Sequence, residues 1–207
     1  MSDAARLTPL GVVVLALLRE GEMHPYEMMR ILRQRRDDRL VRIQNGTFYH
    51  TVSRLERAGL VIEVGVDRDG NRPERTTYRL TDAGETAVVE WVRRELPRMD
   101  RPAEFRIALA EAHNLDRGEV VALLAERRIA LVAELDGHRA GLSDSTTRGV
   151  PDQFLVEVSR QAAVLDAELA WQDALHARLV DGSLPWGVDE IPDHVRHSNA
   201  AIRKSLS

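Results

Sequence analysis

The strongest constraint on the fold is a change in the spacing of apolar residues near residue 60. Before that point, three segments carry apolar side chains at the three- and four-residue intervals of amphipathic helices. Residues 60–66 and 76–80 instead have the composition of short strands, and Asp69-Gly70-Asn71 between them is a strong turn signal. A fourth helical pattern, capped by Thr81, continues to about Leu96. Three helices, a two-stranded hairpin and a further helix, in that order, predict a winged helix-turn-helix.

The first two helices are bounded by recognisable capping residues. Thr8 and Pro9 are a typical N-cap and first helical residue, and the apolar run 10–18 predicts a buried helix. Pro25 begins the second helix. We expect its inward stripe to consist of Tyr26, Met29, Ile31, Leu32 and Leu40.

The third helix is expected to take Asn45 as its N-cap, to begin near Thr47 and to end at Gly59. Its residues at helical spacing are Phe48, Tyr49, Val52, Leu55 and Ala58.

The C-terminal half predicts two long helices. Asp116 and Glu119 are placed like a capping box at the start of a helix that runs to about Leu142. A polar loop is expected at residues 143–149, and Pro151 begins a second helix that runs to about Val180. Two long amphipathic helices with little else around them predict a homodimer. The expected dimerisation residues are Val120, Leu124, Leu131, Leu135, Phe154, Val158, Leu165 and Leu169.

The predicted fold class is therefore mainly α, with an N-terminal winged helix-turn-helix followed by a C-terminal helical dimerisation domain. We expect a DNA-binding domain at 1–97, the helical domain at 98–182 and a loosely ordered tail at 183–207. The charge is divided in the same way. Residues 1–99 carry 17 arginines against 15 carboxylates, whereas residues 100–207 carry 12 basic against 18 acidic side chains. A net charge of −4 for the whole chain thus conceals a basic half suited to an anionic partner.

Several motifs in the first half resemble the PadR family of bacterial transcriptional regulators. They are Leu10-Gly11, His24-Pro25-Tyr26-Glu27, Asn45-Gly46-Thr47-Phe48-Tyr49, Leu55-Glu56-Arg57-Ala58-Gly59-Leu60, Arg72-Pro73 and Tyr78-Arg79-Leu80-Thr81-Asp82-Ala83-Gly84. The ordered set covers about residues 7–90, and the long C-terminal helices are similar to the branch of the family that dimerises through them. The resemblance implies double-stranded DNA as the partner. The family usually begins its recognition helix with a Ser-Pro-Gly-Ser-like segment, which this chain lacks, so no target sequence is carried over.

The third helix carries the residues suited to reading DNA. Backbone amides and a positive dipole at its N-terminus suit a phosphate, to which Asn45, Gly46, Thr47 and Tyr49 are expected to bind. If Phe48, Val52 and Leu55 pack inward, the opposite face can touch base edges. Its expected members are Thr47, His50, Thr51 and Arg54. An ordinary solvated helix face is the alternative interpretation.

The hairpin and the second helix supply further arginines. Arg68, Arg72 and Arg75 surround the predicted turn and can reach phosphates or a narrow minor groove, although a merely soluble turn has the same composition. Six arginines between positions 30 and 42 offer additional phosphate contacts, or form a surface neutralised by Asp37 and Asp38.

Enzymatic chemistry is not indicated. The chain has no cysteine, no phosphate-binding glycine loop and no nucleophile elbow, so we expect neither an enzyme nor a cofactor. His194 and His197 lack a supporting carboxylate pattern, and we expect no metal site. No apolar stretch is long enough to span a membrane, and residues 1–6 lack a signal-peptide pattern, which favours the bacterial cytoplasm.

The resemblance also implies a small aromatic effector, since PadR-like regulators often respond to phenolic compounds. The aromatic residues best placed to stack on one are Trp91, Phe105, Phe154 and Trp171, unless they are core or dimer-packing residues. The sequence as a whole predicts a ligand-responsive homodimeric repressor that binds an inverted repeat with half-sites about one helical turn apart. The alternative is a helical interaction module whose winged helix does not bind DNA specifically.

Overall fold

A computed structural model describes residues 7–67 and 75–187. These residues form two compact units. The first comprises residues 7–67, 75–95 and 106–112, and the second comprises residues 96–105 and 113–187. The predicted domain limits remain a prediction, and most of the expected tail, residues 188–207, lies outside the described part of the chain.

The first unit has the predicted winged-helix order. Its elements are α1 (Pro9–Leu18), α2 (Pro25–Gln34), α3 (Asn45–Arg57), β1 (Val61–Asp67), β2 (Arg75–Leu80) and α4 (Asp82–Glu95). The short helix α5 (Pro102–Ala110) follows, and the second unit contains α6 (Arg117–Thr147) and α7 (Val156–Val180). The predicted mainly α fold with a two-stranded wing is confirmed.

Helix α1 forms the centre of the first unit, as its apolar run predicts. Eight of its ten residues are buried. The Thr8 hydroxyl oxygen caps the helix by accepting a hydrogen bond from the Gly11 amide at 3.2 Å. Burial on nearly all sides requires the uniformly apolar sequence, because little of the helix meets water.

Helix α2 is shorter than its expected apolar stripe. Met28, Met29, Ile31 and Leu32 are buried. Two expected members are wrong: Tyr26 is 52% exposed, and Leu40 lies beyond the end of the helix. The chain leaves the helix after Gln34, and Arg36 adopts a left-handed conformation (φ 59°) that stops further helical hydrogen bonding.

The wing is an antiparallel pair in which Val61 lies opposite Leu80 and Asp67 opposite Arg75. The register shifts between Glu63 and Gly65, which bends the hairpin. Met23 adds one bridge to the outer edge of β2, with reciprocal backbone hydrogen bonds to Tyr78 at 3.0 Å.

The junction between the wing and α4 explains the motif Leu80-Thr81-Asp82-Ala83-Gly84. The Thr81 hydroxyl oxygen accepts a hydrogen bond from the Gly84 amide at 3.0 Å and so caps α4. Gly84 is buried against the backbone of Leu60, whose carbonyl oxygen accepts a hydrogen bond from the Thr81 amide at 3.1 Å. A residue with a Cβ atom does not fit there without displacing that backbone.

The second unit is a long helical hairpin in which α6 packs against α7. Its core contains Leu131, Leu135, Ala162 and Leu165, and two outer ion pairs join the helices. Arg128 pairs with Asp173 at 2.6 Å and Arg139 with Asp166 at 2.8 Å.

Three sequence expectations for this hairpin are wrong. The expected loop at 143–149 is largely helical, because α6 continues to Thr147. Asp116 is the N-cap of α6, but its side chain makes no capping hydrogen bond. Pro151 precedes a short 3-10 turn (Asp152–Phe154), and α7 begins only at Val156.

Among the described residues, no helix combines the length and the apolar character needed to cross a membrane.

Candidate nucleic-acid interface

Helix α3 is amphipathic, and three buried side chains fix its orientation. Phe48, Val52 and Leu55 are almost completely inaccessible, as predicted. The outward face is wider than the sequence analysis indicated, because Ser53 and Arg57 belong to it as well. The exposed residues of α3 are Asn45, Gly46, Thr47, Tyr49, His50, Ser53, Arg54 and Arg57. One face of the helix therefore presents two arginines, a histidine and several hydroxyl groups.

Thr51 is an exception to the predicted exposed stripe. Its side chain is only 5% exposed, and its hydroxyl donates a hydrogen bond to the Thr47 carbonyl at 2.8 Å. The physical reason is its helical angle: at about 100° per residue, Thr51 lies only about 40° from the buried Leu55. The prediction that Thr51 lies on an exposed face is wrong.

The N-terminus of α3 differs from the prediction by one position. Gln44 is the N-cap, its side chain makes no capping bond, and Asn45 is already the first helical residue. The expectation that Asn45 caps the helix is therefore wrong. Its Oδ1 atom instead accepts a hydrogen bond from Arg33 of α2 at 3.0 Å. Space beside Gly46 is open, since a Cβ atom there would meet nothing within 4 Å.

Arg54 lies near the other end of the exposed face and is held by α1. Its Nη2 atom donates a hydrogen bond to the hydroxyl oxygen of Thr8 at 2.8 Å. The neighbouring Arg57 is held within its own helix, by a bond from its Nε atom to the Ser53 carbonyl at 3.2 Å. The side chain of Arg54 is thus held by a residue of another element, whereas that of Arg57 is held by its own helix.

The wing residues can be placed only in part. Arg68 and Arg72 lie outside the described residues, and Arg75 is the first residue of β2. The stem of the wing is held to α3 by Tyr78, whose hydroxyl donates to Glu56 at 3.5 Å. Burial, together with the nearby carboxylates of Glu56 and Glu63, raises the pKa of Tyr78. The phenol therefore remains protonated and able to donate at neutral pH.

The arginine-rich segment after α2 is only partly neutralised by its own acids. Arg35 forms a bidentate pair with Glu20, and that hydrogen bonding raises the pKa of Arg35. Burial raises the pKa of Asp37, although Arg35 and Arg39 oppose the shift. Since Glu20 is the partner of Arg35, the expected pairing with Asp37 and Asp38 is not the main contact of this arginine.

The four aromatic residues proposed for an effector have different environments. Trp91 is buried in the first unit. Phe105, in the second unit, is covered on one face by the buried guanidinium of Arg127, 3.6 Å from the ring centroid. Phe154 is 68% exposed and Trp171 is 44% exposed. Of these four residues, only Phe154 and Trp171 offer large aromatic surfaces to solvent.

Most residues of the predicted dimerisation stripe are buried within their own chain. Val120, Leu124, Leu131, Leu135 and Leu165 are buried within their own chain, and Leu169 packs against the same core. Val158 is half-buried and Phe154 exposed. The buried members therefore do not face a second copy as predicted, and three of them, Leu131, Leu135 and Leu165, form the core between α6 and α7.

The opposite face of α7 carries a second apolar stripe that the sequence analysis missed. Its exposed members are Val156, Ala163, Val164, Ala167, Ala170, Trp171, Ala174 and Ala177. They recur at three- and four-residue intervals, so they share one face of the helix. Their alternation with charged residues could have revealed this stripe, but small alanines give a weaker signal than leucines.

No cluster of three or more potential metal ligands occurs in residues 7–67 and 75–187. His194 and His197 lie beyond the described range.

Comparisons with known proteins agree with the motifs in the first unit. The model of the transcriptional regulator PadR-like family matches residues 14–90. A structure of Bacillus subtilis PadR with operator DNA is 20% identical, with 82% of this chain and 98% of that chain covered and a TM-score of 0.40. The same protein with p-coumaric acid is 18% identical, with 83% and 99% covered and a TM-score of 0.38.

A protein of Streptococcus mutans UA159 is 21% identical, with 77% of this chain and 98% of that chain covered and a TM-score of 0.38. A comparison with curated proteins found no match. The family match begins within α1, includes α3 and the wing, and ends within α4. The predicted resemblance to this family is thus confirmed over residues 14–90.

Proposed function

We propose that this chain is a DNA-binding transcriptional regulator that acts as a homodimeric repressor on an inverted-repeat operator. The observation that carries the proposal is the exposed face of α3. Buried Phe48, Val52 and Leu55 fix the helix, and its polar face is turned to solvent on a winged-helix frame. A regulator of this kind acts on the chromosome, so a cytoplasmic location is part of the proposal.

Phosphate binding is assigned to the start of α3. The first-turn amides and the helix dipole favour an anion there, and the open space beside Gly46 allows a phosphate to approach the backbone. Thr47 and Tyr49 are exposed and can donate from their hydroxyl groups. Asn45 can use its amide nitrogen, because its oxygen accepts from Arg33.

Base reading is assigned to His50 and Arg54, one turn apart on the same face. A guanidinium can donate two parallel hydrogen bonds to guanine, which typically contributes about 1–3 kcal/mol of discrimination. Arg68, Arg72 and Arg75 of the wing are proposed to contact phosphates or the minor groove. Thr51 is not assigned a base contact, since its hydroxyl is turned inward.

The proposed dimer uses the exposed apolar stripe of α7. Alanines allow two helices to approach closely, and Trp171 supplies a large apolar area that a second copy can cover. Trp171→Glu is expected to shift the chain toward monomer in analytical ultracentrifugation, whereas Val180→Glu, an exposed position off the stripe, is expected to leave association unchanged. If Trp171→Glu and Val180→Glu dissociate the dimer equally, the dimer does not use this stripe.

The proposal also includes a response to a small aromatic ligand. Exposed Trp171 and Phe154 can stack on a flat compound, and ligand binding near the stripe would alter the dimer. Quenching of Trp171 fluorescence on titration with phenolic compounds tests this step. Absence of quenching by every compound would remove the ligand from the proposal and leave the DNA-binding part intact.

DNA binding is tested by selecting sites from a random duplex library with the purified full chain at stated salt concentrations. Recovery of an inverted repeat is expected, together with a steep loss of affinity with salt. Arg54→Ala should lower affinity for the selected site more than for random DNA, whereas Arg57→Ala is the matched change on the same helix. A chain that enriches no sequence would favour the alternative, a helical interaction module.

A further inference from the structure

The hydroxyl oxygen of Thr8 has two donors that come from different helices. One is the Gly11 amide, at 3.2 Å, which makes Thr8 the N-cap of α1. The other is the Nη2 atom of Arg54, at 2.8 Å, from a residue 46 positions further along the chain. A single side chain therefore both caps the first helix and holds an arginine on the exposed face of α3.

The surrounding packing keeps this hydroxyl accessible to Arg54. Gly11 lies beside it, and a Cβ atom at that position would be 3.3 Å from the Thr8 hydroxyl oxygen and 3.6 Å from a methyl group of Leu55. A Cβ there would be in ordinary contact with Leu55 of α3 but tight against the Thr8 hydroxyl oxygen, so glycine leaves room around the atom that accepts from Arg54. The Leu10-Gly11 motif thus has a structural role at the base of the proposed DNA-reading face.

A guanidinium has five N–H donors, and the bond to Thr8 uses one of them. The remaining donors can still form a bidentate contact with a base or a phosphate. Fixing one nitrogen also restricts a side chain that otherwise loses roughly 2 kcal/mol of rotamer entropy when it is immobilised. Because the hydroxyl is uncharged, it orients the guanidinium without neutralising it, whereas an acidic cap would form an ion pair with it.

We propose that Thr8 is a positioning residue for DNA reading, which orients Arg54 before DNA binds and thereby sharpens sequence discrimination. This inference rests on the proposed function, because it requires Arg54 to contact DNA. It assigns no DNA contact to Thr8 itself. It predicts that Thr8 affects specificity through Arg54 and not through the stability of α1 alone.

The test compares Thr8→Ala, Thr8→Ser and Thr8→Asp in the full chain. Two quantities are measured. The first is the affinity for the selected site divided by the affinity for the same site altered at the base that Arg54 contacts, called the affinity ratio. The second is the thermal midpoint of unfolding. Thr8→Ala should lower the ratio by up to about tenfold, and Thr8→Ser should restore it. Thr8→Asp should keep the midpoint, since aspartate is a good N-cap, yet lower the ratio by pairing with Arg54.

A double-mutant cycle separates positioning from a merely structural effect. In an Arg54→Ala background, Thr8→Ala should change the affinity ratio no further, because the residue that it orients is gone. An equal loss in both backgrounds, or an unchanged ratio in the wild-type background, would overturn the role of Thr8. A wild-type chain that selects no sequence would overturn the proposed function and this inference with it.

Discussion

Replacing Gly84 by alanine should destabilise the first unit through one unavoidable collision. The added Cβ would lie far inside contact distance of the Leu60 carbonyl oxygen and 2.7 Å from a methyl group of Leu80. The methyl group can rotate away, but the carbonyl belongs to the backbone at the start of the wing. Moving it also disturbs its hydrogen bond with the Thr81 amide, which measures 3.1 Å.

The expected size follows from these contacts. Overpacking of a fixed site costs about 1–3 kcal/mol. Weakening the hydrogen bond between Thr81 and Leu60 adds about 0.5–1.5 kcal/mol. Alanine offsets up to about 1 kcal/mol of this loss, because it favours the helix more than glycine does. We therefore expect Gly84→Ala to lower the free energy of unfolding by about 0.5–4.5 kcal/mol.

Urea denaturation followed by Trp91 fluorescence measures this loss, in a background where Trp171 and Trp186 are phenylalanine so that the signal reports on the first unit. Gly137→Ala in α6 is the matched control. A Cβ there would meet nothing within 4 Å, so it should be neutral or stabilising for its own helix and leave the Trp91 transition unchanged. A Gly84→Ala protein that unfolds at the wild-type urea concentration would refute the reasoning.

Three further changes test individual contacts of the first unit. His24→Ala should lower the free energy of unfolding by about 1 kcal/mol in urea denaturation, because the His24 Nδ1 atom caps α2 by accepting from the Tyr26 amide. His24→Asn should retain most of the stability, and equal losses would contradict the cap. Asp37→Asn should stabilise the protein at pH 7 in urea titrations. Burial raises the folded-state pKa of Asp37 above its ordinary value of 3.8, so the wild type loses stability as the pH rises from that value through the raised pKa. If Asp37→Asn is still more stable than the wild type at about pH 3, burial of the charged carboxylate is not the cause of the difference. Thr51→Val should leave affinity for the selected DNA site within about twofold, since the hydroxyl donates to the Thr47 carbonyl; a larger loss in fluorescence anisotropy would restore Thr51 to the reading face.

Much of the first unit could be predicted because its local signals agree with its tertiary packing. Thr8, Pro25 and Thr81 begin helices where capping chemistry predicts, and the change from helical to alternating spacing marks the wing. The inward residues of α3 were equally clear, since Phe48, Val52 and Leu55 recur at helical intervals. Short-range patterns were sufficient in these elements because each has one strongly apolar side.

The errors arise where a local pattern fits two structures. Asn45 is a good N-cap by residue type, but its side-chain oxygen accepts from Arg33, and the N-cap is one residue earlier, at Gln44. Thr51 lies at the border between the two faces of α3, where spacing alone does not decide whether a small side chain turns inward. The bond between Thr8 and Arg54 joins residues far apart in sequence, so no local signal predicts it.

The long helices show a different ambiguity. A leucine stripe such as Leu124, Leu131 and Leu135 has the same spacing whether it packs against its own chain or against another copy. In this chain Leu131 and Leu135 pack against Leu165 of α7. The face left open on α7 is built mainly from alanine, which contributes little to a hydrophobic pattern although it favours close helix packing.

If the proposed dimer forms on DNA as proposed above, the open stripe on α7 links operator occupancy to the amount of protein. Under the proposed dimer, this surface is removed from water only when two chains meet, so mass action makes the apparent stability rise with protein concentration. Below the dissociation constant of the dimer, the population able to cover both half-sites grows with the square of the monomer concentration. A modest change in synthesis would then produce a disproportionate change in repression, and Trp171 would be one of the residues that set this threshold.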